Sequence, residues 1–316
     1  VCSAAPCMGY WPGCWPGEAR RVLEGALEKM SVQPAEASGD PARFSLRLRP
    51  GAAAAPGEQA VDLNVNDLLG HQLDIEYLGS ISCSYCGRGT RKSYAQGYCF
   101  PCFRKLARCD LCVMSPDRCH YAAGTCREPE WGESFCMQPH LVYLANSSGP
   151  KVGITRSGHQ TGRWLDQGAS QGLVILSAPS RNLAGLAEVA LARHVSDRTD
   201  WRALVRQDAP PVDLPALRER LRGLVLDLPA EVTWLDDESP QTLCYPVLSY
   251  PRTLKRFRLE REQRVSGRLL GIKGQFLLFE NGVLNIRQHT SFHVRLHWGE
   301  ATSSRDADDQ MELFST

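Results

Sequence analysis

Two thiol pairs, Cys83-x-x-Cys86 and Cys99-x-x-Cys102, restrict this chain more than any hydrophobic pattern in it. A tetrahedral zinc site takes two adjacent corners from each short pair, and the intervening loop returns the second pair to close the cage. Gly87 follows the first pair and frees the tight turn that lets backbone N–H groups point at sulfur. The second pair runs straight into Phe103-Arg-Lys-Leu-Ala-Arg108, a predicted helix. Buried thiols that merely pack are the alternative, and the regular spacing favours zinc. The chain shows no apolar run of about 18 residues, and no basic segment followed by a hydrophobic one near its start, so no membrane partner and a cytoplasmic setting are expected. There thiols stay reduced, and thirteen cysteines argue for metal rather than disulfides.

A second group follows the first. Cys109-x-x-Cys112 is a clear pair, but Cys119, His120, Cys126, Cys136 and His140 compete for the two remaining corners. The set favoured on sequence is Cys109, Cys112, Cys126 and Cys136, giving one or two structural zinc ions in all. An iron–sulfur cluster competes, because cysteines are in surplus. Cys2, Cys7 and Cys14 are given no role, and Cys244 reads as a core thiol.

The net charge of +1 gives no global field toward nucleic acid, so any such signal must be local. One stretch supplies it. Between Cys83 and Arg108 lie Arg88, Arg91, Lys92, Arg104, Lys105 and Arg108 with no acid among them, interleaved with Tyr85, Tyr94, Tyr98, Phe100 and Phe103. Cations serve phosphates, and exposed rings can stack on unpaired bases. The competing reading is a solvated cationic face over a small aromatic core.

The rest of the 316 residues divides by pattern. Residues 1–17 and 300–316 read as tails, and 50–57 as an Ala/Pro loop. Segment 18–82 opens with a predicted helix over 18–30, striped by Val22, Leu23, Ala26, Leu27 and Met30, then alternates with period two at 44–49, 60–65 and 72–78. Segment 83–140 is the cysteine-rich module. Segment 141–207 reads strand, strand, helix, strand, helix, helix, starting with a hairpin whose turn is Asn146-Ser-Ser-Gly-Pro150. Gly153 in its second strand marks close approach of a ligand or another backbone. Segment 208–240 is a Pro-rich linker and a helix, and 241–299 a β meander with a turn at Glu280-Asn281-Gly282, expected to pack with the N-terminal strands as a small sheet or barrel. The fold class expected is α+β: a small antiparallel sheet flanked by helices, a zinc-ribbon or treble-clef-like module, and a small β domain.

Tyr143 in Val-Tyr-Leu, Lys151 in Lys-Val-Gly, Arg163 near a helix start and Glu188 on a later helix resemble the GIY-YIG nuclease core, in its branches with a relaxed first motif and Lys at the second Tyr. Leu141 and Lys151 are the departures from the strict pattern. Gln-Gly-Tyr-Cys-Phe-Pro-Cys (96–102), Gly-Thr-Cys-Arg-Glu-Pro (124–129), Tyr-Leu-Ala-Asn-Ser-Ser-Gly (143–149) and Gly-Ile-Lys-Gly-Gln (271–275) resemble a bacterial family catalogued only as domain of unknown function 2797. The nuclease resemblance implies Tyr143 as base or its orienting partner, Lys151 as pKa-lowering or phosphate-holding group, Arg163 as phosphate clamp and Glu188 as ligand of one Mg²⁺ or Mn²⁺. Glu188 shares a helix face with Ala184, Leu191 and Val195, where a carboxylate wants a metal or an Arg. Three functions follow as expectations: a metal-dependent endonuclease on DNA or RNA, a non-catalytic zinc-containing DNA or RNA binder gripping phosphate with the same residues, or a metal-cluster sensor of redox state or metal.

Overall fold

The computed structural model describes residues 21–299 apart from 38, 51–58, 196–198 and 207–208. Both expected tails and most of the 50–57 loop lie outside those residues. The protein is α+β, with two sheets and several short helices.

The larger sheet is built from both ends of the chain. Its central strand, Gln72–Ser82, is flanked by Arg264–Lys273 and Phe292–Gly299, both antiparallel. Phe292–Gly299 then pairs with Arg21–Leu27, which continues through Arg43–Arg49 to Ser31–Gln33 at one edge, with Val61–Asn64 also beside Arg43–Arg49. On the other side Arg264–Lys273 leads through Phe276–Phe279 and Gly282–Asn285 to a short parallel strand, Arg256–Phe257. Arg256–Phe257 and Ser31–Gln33 are the two end strands of this path, and among the described residues no strand pairing joins them. Period-two burial of Phe44, Leu46 and Leu48, of Leu73 and Ile75, and of Val294 and Leu296 supplies one apolar face to the core.

The helix expected over 18–30 is instead the strand Arg21–Leu27. Its helical stripe is real, but Leu23, Gly25 and Leu27 also alternate, and Leu23 and Gly25 sit opposite Leu296 and Val294. Tertiary pairing overrides the helix propensity of its Ala, Leu and Glu residues. On the opposite face Arg295 bridges Glu24 at 2.5 Å and Glu76 at 3.0 Å, an ion ladder across three adjacent strands.

The smaller sheet is antiparallel throughout. His140–Asn146 lies between Pro150–Arg156 and Gln171–Ala178, and Thr233–Trp234 and Gln241–Thr242 both pair with Gln171–Ala178. The predicted hairpin, the helix before the third strand (Gln160–Asp166) and the helix after it (Arg181–Ala192) all form. Val142, Leu144, Val152 and Ile154 pack on Ala184, Ala187 and Leu191, while Tyr143, Ala145, Trp164 and Val174 form a second core on the other face.

One buried side chain ties the two sheets together. Gln275 accepts from the Met30 amide and donates to the Met30 carbonyl, each at 2.9 Å, and donates to Asp166 Oδ1 at 2.6 Å. Replacing it with Leu orphans buried backbone groups. Gln275→Leu is therefore expected to cost about 2–4 kcal/mol, read from the urea midpoint at constant slope.

Nearby Lys273 is buried between the faces of Tyr245 and Tyr250, each 5.6 Å from its Nζ. Burial pulls its ammonium down to about 8. The lysine is charged in both states below that pH, and from about 8 to its ordinary value of 10.5 the folded chain sheds the proton first. Stability referred to Lys273→Met should therefore rise across that window, by about 3 kcal/mol at most. The ring faces, which favour the charged form, draw the gain below that ceiling. Parallel denaturant titrations of both proteins from pH 7 to 10.5 would measure it.

Candidate functional site

The central strand of the large sheet ends at Ser82 and delivers Cys83 directly into a four-thiol cluster. The Sγ atoms of Cys83, Cys86, Cys99 and Cys102 all lie within 4.8 Å of one another, and Cys86 and Cys99 are 3.7 Å apart. A tetrahedral zinc with Zn–S of about 2.3 Å sets its sulfurs about 3.8 Å apart, so these four could hold one. Local backbone explains the arrangement. Gly87 takes φ +70, turning the chain after Cys86 so that its amide reaches the Cys83 carbonyl at 2.9 Å. The second pair opens a helix: Cys99 is the N-cap of Phe100–Lys105 and Cys102 sits in its first turn.

Electrostatics fit the same chemistry. Burial raises the Cys83 thiol, but backbone hydrogen bonds from Cys86, Cys99 and Tyr85 outweigh it and bring it down to about 6. Burial, together with hydrogen bonds to its three neighbouring thiols, pushes Cys102 far up. Cys83 is thereby favoured as thiolate and Cys102 as thiol, and a bound metal ion would reverse that balance at Cys102.

Around this cluster Arg88, Arg91, Lys92, Arg104, Lys105 and Arg108 are all exposed. Among the described residues none of the six is drawn into an ion pair with a carboxylate. Tyr85 and Phe100 are exposed beside them, with Arg108 5.9 Å from the Tyr85 ring centroid and Arg104 6.0 Å from that of Phe100. Tyr94 packs against Phe100 and Phe103 and carries Lys92 at 5.3 Å. The aromatics are thus divided between a small core and an outward face.

In the second cysteine group Cys109 packs apart from the other cysteines. Cys109 ends a short 3-10 turn, Ala107–Cys109, that packs it with Cys83, Cys99, Cys102 and Leu106. Burial pushes its thiol up to about 11. Cys112, Cys126 and Cys136 line a separate cavity, and Cys119 lines it with them.

The four residues picked out by the nuclease resemblance all belong to the small sheet and its helices. Tyr143 is fully buried, and its hydroxyl donates to Gln167 at 3.0 Å. Its ring lies over Gly153, directly opposite in register, where a Cβ would stand 2.5 Å from the Tyr143 hydroxyl. The close approach signalled by Gly153 is thus a neighbouring side chain and not a ligand. Burial raises the Tyr143 phenol; Arg163 acts against that by charge and hydrogen bond, and Glu188 adds to it. Tyr143, Arg163 and Glu188 are therefore neighbours, brought together from a strand and two helices. Lys151 is on the same sheet face, but its buried Nζ donates to Thr199 at 3.0 Å, toward a different loop.

Sequence reasoning did not single out Arg181 or Arg156. Arg181, at the first turn of the helix carrying Glu188, has its guanidinium lowered by burial and feels Cys136, Arg163 and Glu188. Arg156 stacks on Phe135 at 4.8 Å, with Arg181 on the same ring at 5.8 Å. Buried His140 donates through Nδ1 to the Gln138 carbonyl at 2.7 Å and is held below its ordinary value by burial and by Arg181 and Arg156. The excess of Arg over Lys was the only sequence signal, and it is spread over the whole chain.

A family model described as Protein of unknown function (DUF2797) matches residues 70–294. The chain belongs to that family. No curated protein and no solved structure matches it. The DUF2797 match starts just before the central strand Gln72–Ser82 and includes both cysteine groups and the whole small sheet, while the strands Arg21–Leu27 and Arg43–Arg49 precede it. No helix among the described residues is long and apolar enough to cross a membrane.

Chelation tests the cluster. Stripping metal from the purified DUF2797 protein is expected to speed amide exchange at Cys83, Ser84 and Phe103, whose amides bond within the module, and to leave Ile75 and Val294 protected in the large sheet. Equal loss at all five would place metal binding under the whole fold instead.

Proposed function

We propose that this protein is a zinc-containing nucleic-acid-binding protein in which the module at Cys83–Cys102 presents a cationic, aromatic face to the phosphate backbone. The observation that carries the reading is the exposed group Arg88, Arg91, Lys92, Arg104 and Lys105, set beside exposed Tyr85 and Phe100 on a frame closed by four thiols. Unpaired surface cations release counterions from a polyphosphate, and flat exposed rings accept unpaired bases irrespective of sequence. Zinc, held by Cys83, Cys86, Cys99 and Cys102, would supply rigidity to a segment with little apolar core of its own.

A second reading, a GIY-YIG-like endonuclease, is favoured by the proximity of Tyr143, Arg163 and Glu188. In it Arg163 would clamp phosphate, with Tyr143 and Lys151 activating or orienting water and Glu188 holding Mg²⁺ or Mn²⁺. Two features weigh against it. Tyr143 and Lys151 are buried and already hydrogen-bonded, out of reach of a substrate. Glu188 lies in the field of Arg163 and Arg181, which suits an anion better than a divalent cation. The residues present therefore fit phosphate binding and not a catalytic metal, and no chemical step is derived through one.

One experiment separates the two. Fluorescence anisotropy with labelled single- and double-stranded DNA and RNA should give binding that weakens with salt. In a variant carrying Arg91→Glu, Lys92→Glu, Arg104→Glu and Lys105→Glu, affinity should fall at least tenfold, and the salt slope should flatten by about one unit for every phosphate that the variant leaves unneutralised. Unchanged binding in that variant would remove the proposal. Running the same samples on a denaturing gel with Mg²⁺, Mn²⁺ or EDTA, beside Glu188→Ala and Arg163→Ala, tests the second reading. Divalent-dependent cleavage abolished in both variants would establish it.

A further inference from the structure

The cavity lined by Cys112, Cys119, Cys126 and Cys136 belongs neither to the first thiol cluster nor to the cationic face. Each cysteine comes from a different local element. Cys112 is in the single helical turn Leu111–Met114, and Cys119 ends the 3-10 turn Pro116–Arg118. Cys126 is in the following loop, against Gly132, where a Cβ would lie 3.4 Å from its sulfur, and Cys136 caps the C-terminus of helix Pro129–Phe135. All four face a space of about 20 Å³. A body the size of one water or one ion needs roughly 10–15 Å³ on that scale, so the space takes a single ion and little else. Electrostatically Cys112 feels Cys119, Cys126 and Cys136, and Cys136 feels Cys119 and Cys126.

We infer that these four thiols form a second tetrahedral zinc site, with Cys109 outside it. The rival donors that line the same cavity are Asp110 and His120, which with Cys112 form a group within 4.8 Å, closer than the four thiols are to one another. They are already engaged. Asp110 accepts from the Leu111 amide at 2.6 Å as the N-cap of its helix and pairs with Arg127 at 2.7 Å. His120 meets Thr125 Oγ1 at 2.8 Å through Nδ1 and faces Asp110 at 3.4 Å through Nε2. A soft divalent ion prefers thiolate in any case. The four sulfurs are gathered more loosely than those of the first cluster, and Cys119 and Cys126, in turn and loop, are the ones an ion would draw inward.

The site has a clear structural task. Helix Arg181–Ala192, which carries Glu188, docks on this segment. Its Arg181 amide donates to the Cys136 carbonyl at 2.8 Å, Arg181 Nη2 to the Val113 carbonyl at 2.5 Å, and Asn182 Nδ2 to the Pro116 carbonyl at 2.9 Å. Every one of those carbonyls lies within three residues of a proposed ligand. An ion here would therefore fix the seat of that helix.

Metal content per chain decides the matter. Protein produced with ample zinc and measured by elemental analysis and native mass spectrometry should hold two zinc ions. Cys119→Ser and Cys126→Ser should each fall to one, and Cys109→Ser should keep two. With cobalt(II) in place of zinc, the thiolate charge-transfer absorbance should halve in Cys119→Ser and stay unchanged in Cys109→Ser. One ion per wild-type chain, or loss in Cys109→Ser with retention in Cys119→Ser, would overturn the assignment. Stoichiometric iron with acid-labile sulfide would replace zinc by a cluster.

Discussion

Backbone pairing along Gln72–Ser82 is the constraint on which everything else rests. Eleven residues long, it is held on both sides by strands from the far end of the chain, and it runs without a break into the first thiol. The module that follows has almost no hydrophobic core: Leu106 and four cysteines are its buried set. Such a segment cannot offset its own ordering entropy by apolar burial. It is anchored at the sheet instead, through the Ser82 amide to the Ser291 carbonyl and through Ser291, which donates to the Gly97 carbonyl, and at its centre through sulfur.

What was legible in the sequence was what is local. The hairpin, its Asn-Ser-Ser-Gly turn and the two thiol pairs depend on residues within a few positions of one another, and their chemistry reads directly. The strand Arg21–Leu27 was not legible, because its helix-compatible stripe is overruled by a partner almost the whole chain away. The packing of Cys109 was not legible for a related reason. As half of a regular pair it belongs with Cys112, yet one 3-10 turn carries its sulfur back to the first cluster. The environment of Tyr143 was half visible. Arg163 and Glu188 could be named by resemblance, whereas Gln167 reaches the phenol, and Arg181 reaches Arg163 and Glu188, through folding alone.

The burial of Tyr143 and Lys151 separates what a resemblance implies from what a site can do. Residue types in the right order brought three groups to one place, but the phenol is committed to Gln167 and shielded by Trp164 at 5.9 Å. A fold can keep the frame of a reaction centre while its side chains serve packing and anion recognition. Exposure, more than residue identity, is what moves the reading toward the basic face of the cysteine module.

The order of strands in the large sheet has a consequence for synthesis. Arg21–Leu27 and Gln72–Ser82 are not neighbours; Phe292–Gly299 lies between them and joins them. As the chain leaves the ribosome the edges of Arg21–Leu27 and Gln72–Ser82 that face Phe292–Gly299 stay unsatisfied until that strand has emerged. Both cysteine segments and the small sheet are complete well before then and can mature ahead of the sheet that will carry them. The vulnerable interval in the life of this protein is thus its translation, while the edges that Phe292–Gly299 will cover stand open.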